Sequence, residues 1–136
     1  MSIKAIKSAL ENRLATASLT PALPAVAWPN VEFARTVGTP YIKVDFRPIL
    51  RRPVVIGPAP EQRVSGLFYL TVYVPEEKGE GGGLDVAEQL LTLFDGSTSF
   101  THANQSVSIE YSEVKPPLHD TPFYAIPVEI GWYAYV

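Results

Sequence analysis

Read as a pattern of apolar and polar positions, the chain divides into two helical stretches and several alternating ones. Ile3, Ile6, Leu10 and Leu14 recur at three- and four-residue steps, which predicts one core-facing stripe with Lys4, Lys7, Glu11 and Arg13 on the solvent side. Ser2 is placed to cap this helix, and the helix should fade near Ala17, before Pro21 can clash with it. A second helix is predicted from Leu84 to Phe94, where Leu84, Ala87, Leu90, Leu91 and Phe94 form a wide apolar stripe and Gly96 supplies the stop.

Elsewhere the period is two. Tyr41 to Arg47 places Ile42, Val44 and Phe46 on one side and Lys43, Asp45 and Arg47 on the other. In Leu67 to Val74, Phe68, Leu70, Val72 and Val74 share a face opposite Tyr69, Thr71 and Tyr73. Ser106 to Ser112 sends Val107, Ile109 and Tyr111 inward, and Phe123 to Tyr135 sends Tyr124, Ile126, Val128, Ile130 and Trp132 inward. Pro127 has no N–H, so it must meet an unpaired side or a bulge, and it hints at an edge strand. A short strand is expected within Val26 to Phe33. Ile49 to Arg63, punctuated by Pro53, Pro58 and Pro60, reads as a long excursion with a small strand at Val54 to Ile56.

Two amphipathic helices and strands patterned for one buried face predict an α+β fold. The expected form is a two-layer sandwich, a mixed or antiparallel sheet of about 4–6 strands with both helices on one face. No internal repeat or boundary divides it, so residues 1–136 are read as one domain. The opposite face would carry Tyr69, Tyr73 and Tyr133 among Lys43, Asp45, Arg47 and Glu129. Tyrosine is favoured at protein interfaces because its ring buries while its hydroxyl stays hydrogen-bonded. Tyr69, Tyr73 and Tyr133, with Arg47, Arg51 and Arg52 from the basic cluster, are therefore the candidate interface residues, set against a plain solvated surface.

Composition narrows the functional classes. Apolar residues make up 46% of the chain and charged ones 18%, the balance of a globular domain. With 11 Lys and Arg against 14 Asp and Glu the net charge is −3, which argues against DNA binding driven by counterion release. The absence of cysteine excludes disulfides, thiolate metal sites and thiol nucleophiles. Residues 1–17 carry charges throughout, unlike a secretory signal, and Ala17 to Val31 is broken by three prolines and too short to span a bilayer.

Candidate chemistry is sparse. His119 and Asp120 are neighbours on an extended segment and would point to opposite faces, so they chelate poorly; His102 and His119 are read as loop residues. Gly79, Gly81, Gly82 and Gly83 lie between a strand and a helix, as phosphate loops do, but no Lys-Ser or Lys-Thr pair follows and Asp85 is the wrong charge. They read as a hinge. Glu76, Glu77, Glu80 and Asp85 lack the ligand spacing of a calcium loop. The residues alone predict a self-associating domain with no catalytic, cofactor-binding or metal-binding set.

Four segments in order carry a resemblance: YIKVDFRP at 41–48, QRVSGLFYLTVYVPEEKGEGGG at 62–83, DVAEQLLTLFDG at 85–96 and FYAIPVEIGWYAY at 123–135. Together, after a short N-terminal helix, they resemble the small phage tail terminator proteins, minor tail proteins of phages and prophages. The resemblance implies a lambda-like terminator fold and a ring, typically hexameric, on the end of the tail tube. Such a ring stops tube polymerisation and presents the surface to which the head joins, without catalysis or cofactor. The implied partners are other copies of the chain, the tail tube protein and the head–tail connector protein. The implied location is the virion tail, reached from the host cytoplasm during assembly. The segment from Arg51 to Arg63 departs from the family pattern. A head–tail adaptor, a peptide- or small-molecule-binding module and an enzyme using His119 with Glu110 or Asp120 remain as alternative readings.

Overall fold

The computed structural model describes residues 3–16, 24–28, 33–34, 39–53, 62–75, 81–120 and 122–136. Helix α1 spans Ile3–Ala15, strand β1 Ala25–Ala27, β2 Tyr41–Pro53, β3 Gln62–Pro75 and helix α2 Gly81–Leu93. Strands β4 (Ser99–His102), β5 (Gln105–Val114), β6 (Leu118–Asp120) and β7 (Phe123–Tyr135) complete the chain. The strands form one mixed seven-stranded sheet in the order β1-β2-β3-β7-β5-β4, with β6 paired to β7 beside β5. Only β1 runs parallel to its neighbour, β2. The expected α+β class holds, but the sheet has more strands than anticipated and curls into a half-barrel instead of a flat sandwich layer.

A line of defects across four strands accounts for the curl. Pro48 pairs with Gly66, Gly66 with Trp132 and Trp132 with Ile109, so one register row crosses β2, β3, β7 and β5. In the next row Arg47, Leu67, Gly131 and Tyr111 are aligned. Beside these rows, β2 has a bulge between Pro48 and Leu50 and β5 has one between Ile109 and Tyr111. Bulges and interior glycines are the positions where a strand bends and coils most readily. A Cβ on Gly66 would lie 2.3 Å from the Arg47 carbonyl oxygen, so only glycine admits this close approach.

Both helices pack on one face. Ile6, Ala9, Leu10 and Leu14 of α1 and Ala87, Leu90 and Phe94 at α2 meet Phe68, Leu70, Val72, Val128, Ile130 and Trp132 in a single core. The Phe94 ring sits edge-on to Phe68 at 5.7 Å. The predicted stripes are recovered except at their ends, since Ile3 and Leu84 are exposed. The cap expected from Ser2 lies outside the described residues.

Several expectations need correction. The Ile49 to Arg63 excursion is mostly strand: β2 runs on to Pro53 and β3 begins at Gln62, making a long two-stranded arm. Its tip, with the expected strand at 54–56, lies outside the described residues. Gly81, Gly82 and Gly83 form the first turn of α2 and not a hinge, and a Cβ on Gly83 would come within 2.6 Å of Ile126 Cδ1. Gly79 and the acidic residues at 76, 77 and 80 are outside the described residues. His102 and His119 lie in β4 and β6, which were too short to show alternation.

Pro127 lies in the centre of the sheet, against the edge-strand expectation, with Thr71 of β3 opposite it. Its carbonyl accepts the Lys115 N–H at 2.8 Å, so its missing donor points to the same side. There the neighbouring chain is Lys115, Pro116 and Pro117, between the end of β5 and the start of β6. The missing N–H thus faces the gap where one strand partner stops and the next begins, which is how a central strand tolerates proline.

Candidate interaction surfaces

The sheet face away from the helices is organised in three bands. At one end Tyr41 stacks on Tyr73, with ring centroids 4.6 Å apart. Phe123 stands edge-on to both of them, and Phe33 lies 5.1 Å from Tyr41. Phe123 is fully buried and Tyr41 nearly so, a second, smaller apolar cluster on this face.

The middle band is a polar network centred on Glu129, a carboxylate only 7% exposed. The Tyr69 hydroxyl donates to its Oε1, and the Tyr111 hydroxyl donates to its Oε2 at 2.8 Å. Lys115 Nζ lies 3.6 Å from the same oxygen and 2.8 Å from Glu113 Oε1. Glu113 and Glu129 are direct cross-strand partners, so the lysine offsets what would be adjacent like charges. The Arg47 guanidinium covers the Tyr69 ring at 4.7 Å.

The titration behaviour follows from these contacts. Burial pushes the Glu129 carboxyl up, but the Tyr69 and Tyr111 hydroxyls, Glu113 and Lys115 together hold it below the usual carboxylate range. Burial, then the bond to Glu129, pushes the Tyr111 hydroxyl up to about 12. The bond to Glu129 and then burial raise Tyr69 as well.

Tyr111 was expected to point inward. The bulge inserts one residue, Glu110, between two residues that would otherwise alternate, and this reverses the facing of everything after it. Tyr111 therefore lies on the open face, flat over Gly131, where an added Cβ would be 2.1 Å from the ring. Glycine at 131 makes room for the ring, and the ring carries its hydroxyl to the carboxylate two residues earlier on β7.

The third band lies along the β2–β3 arm. Arg63 covers the Tyr133 ring at 4.6 Å and approaches Glu110 at 4.0 Å. Every residue from Arg47 to Pro53 is exposed, including Ile49, Leu50, Arg51 and Arg52. The candidates named from sequence are thus divided. Tyr69, Tyr73, Tyr133 and Arg47 lie on one face but are engaged by their own chain, whereas Arg51 and Arg52 project from the arm. The missed residues are Glu129 as a hub, Tyr111, Lys115, Arg63 and Gly131.

A family model described as phage tail terminator protein matches residues 5–132. The chain belongs to the phage tail terminator family. As a tail terminator family member it is a structural component of a phage tail. One solved structure, whose name states no function, has the same fold: it is 24% identical, with a TM-score of 0.77 covering 98% of this chain and 96% of that one. No curated protein matches the chain.

The rest of the described surface of this terminator-family chain offers little for chemistry. Among the described residues, no group of three or more His, Asp or Glu could hold a metal ion. No described helix is long and apolar enough to cross a membrane. A groove of about 230 Å³ lies between α1, the end of α2 and β4, lined by Asn12, Arg13, Thr16, Phe100, Thr101 and His102. It is smaller than usual small-molecule sites, roughly 300–1,000 Å³. Its one arginine is already committed, donating from Nε to the Leu93 carbonyl at 2.8 Å and lying over Phe100.

Proposed function

We propose that this protein is a tail terminator subunit that assembles with copies of itself into a ring, a hexamer on the family pattern, on the end of the tail tube. The ring blocks addition of further tube subunits and gives the head–tail connector its joining surface, in phage or prophage particles assembled in the host cytoplasm. The observation that carries this reading is the family match over nearly the whole chain, from residue 5 to residue 132. A structural role of this kind asks for surfaces and no catalytic groups. A ring also needs two different patches per subunit that meet head to tail. The exposed arm and the helix-bearing side are two such patches. The net charge of −3 suits a bore that DNA must traverse without being held.

The test is electron microscopy of purified tail tubes incubated with the protein, recording tube length and the density at each end. Rings at one end with arrested elongation are the expected result. Bare tubes that keep growing would defeat the terminator reading and favour an adaptor on the head side. Removal of residues 54–61, with the flanking strands rejoined by a short turn, should leave the fold intact and abolish head joining. Normal joining by that variant would remove the arm tip from the account.

A further inference from the structure

Among the described residues the outer half of β2 forms a rim of the sheet, because β1 pairs only with Tyr41, Ile42 and Lys43. On this rim Ile49 and Leu50 are 65% and 45% exposed, and Arg51 and Arg52 stand beside them. An exposed strand rim normally invites another strand. Here Pro48, Pro53 and the bulge between Pro48 and Leu50 remove donors and break the spacing a ladder needs. Whatever docks on the arm must therefore do so through side chains: an apolar centre flanked by acidic groups.

This chain carries such a surface itself. Residues 41–63 hold five Lys or Arg and two Asp or Glu, while residues 76–95 hold six Asp or Glu and one Lys. On α2 the exposed positions Leu84, Asp85, Glu88 and Thr92 form the face turned away from the core. Leu84 is 40% exposed although the helix has a well-filled buried stripe. Among the described residues, Arg51, Arg52, Asp85 and Glu88 have no ion-pair partner. The helix packs over β3, β7 and β5, so the acidic face and the basic arm belong to different elements of the subunit. Two complementary, non-overlapping patches make a head-to-tail contact that can close into a ring.

We infer that the β2–β3 arm of one copy docks on the solvent face of α2 of the next, with Leu50 and Arg52, which share one face of β2, against Leu84, Asp85 and Glu88, and with Arg51 adding positive charge at the same rim. The inference rests on the ring reading above and names the contact that builds the ring.

Charge exchange tests it, because all four charged positions are exposed. R51E/R52E subunits and D85K/E88K subunits should each fold, by circular dichroism, and each fail to cap tail tubes. Mixed one to one they should cap again, since an acidic arm then meets a basic helix and a basic arm meets an acidic helix around an even ring. Because the chain has no cysteine, L50C and differently tagged L84C subunits can be mixed at high concentration and oxidised without tubes. The expected product is the mixed disulfide dimer, at least tenfold above either like-with-like dimer.

If wild-type protein leaves tubes uncapped but the mixed disulfide forms, the terminator reading falls and the contact stands. If wild-type protein caps tubes while both charge variants cap equally well and no mixed disulfide forms, the contact falls and the terminator reading stands. If the R51E/R52E variant caps normally but loses retention on DNA, the arm serves nucleic acid and the inference is overturned.

Discussion

Replacing Gly131 by alanine tests the local geometry of the open face most directly. The new Cβ would stand 2.1 Å from Tyr111 Cε1 and 2.8 Å from its Cζ. To regain a carbon–carbon separation near 3.5 Å, the ring must move by about 1.4 Å. That shift carries the hydroxyl out of its 2.8 Å bond to Glu129 Oε2. A hydrogen bond to a charged group contributes about 1.5–3 kcal/mol, and here the acceptor is buried. The backbone of Gly131 is one an alanine can adopt, so the same substitution stabilises by about 0.4–1 kcal/mol through the unfolded chain. The net expectation is a loss of about 1–2.5 kcal/mol.

The decisive comparison is the same substitution in a Tyr111→Ala background. With the ring gone there is nothing to displace, and Gly131→Ala should become neutral or stabilising by about 0.5 kcal/mol. The two changes should therefore couple by about 2 kcal/mol in urea unfolding at neutral pH, read from the midpoint at constant slope. Equal costs in both backgrounds would mean that the ring does not lie over Gly131. The bulge-driven reversal of β5 would then be wrong.

Four further outcomes are expected. Gly66→Ala should cost more than about 3 kcal/mol, because the obstruction is the Arg47 carbonyl and not a movable side chain; Gly82→Ala, with open space around it, is the control, and equal urea midpoints for the two would refute the bend-line account. Phe94→Ala should cost about 3–5 kcal/mol by the same assay, since Phe94 is fully buried and packed on Phe68; a loss below about 1 kcal/mol would place α2 elsewhere. The Glu129 carboxyl is held below its ordinary value of 4.5, so its contribution is present above that pH and is lost as pH falls through the lower folded value; Glu129→Gln should flatten the acid limb of stability against pH. Tyr111 is shifted the other way, so its contribution is complete below pH 10 and lost between 10 and about 12; the late tyrosine in an ultraviolet titration should vanish in Tyr111→Phe.

How much of this was readable from residues depends on whether parity survives along a strand. β3 and β7 keep strict alternation from Gln62 to Pro75 and from Phe123 to Tyr135, and their core faces follow from sequence without error at Phe68, Leu70, Ile130 and Trp132. β5 loses parity at Glu110 and β2 at Ile49, where nothing in the local pattern announces a bulge. One bulge turned Tyr111 from an expected core residue into a ligand of Glu129, and the other continued an expected loop as strand. The short strands β4 and β6 could not be seen because three or four residues hold too few repeats to show a period.

The trace of the bulges was nevertheless present, one strand away. Gly66 and Gly131 are glycines inside otherwise strong strands, and an interior glycine signals that something approaches closely. Gly66 accommodates the bulged β2 and Gly131 accommodates Tyr111 of the bulged β5. The tyrosine argument for an interface has the same dependence. Tyr69, Tyr73 and Tyr133 are explained by Glu129, Tyr41 and Arg63 within the subunit, so their abundance needs no second copy. Among the apolar side chains the subunit leaves exposed are an Ile49–Leu50 pair with two arginines on one rim and a leucine among acids on a helix. That remainder, more than the tyrosines, is the physical reason for the proposal that copies meet through the arm and α2.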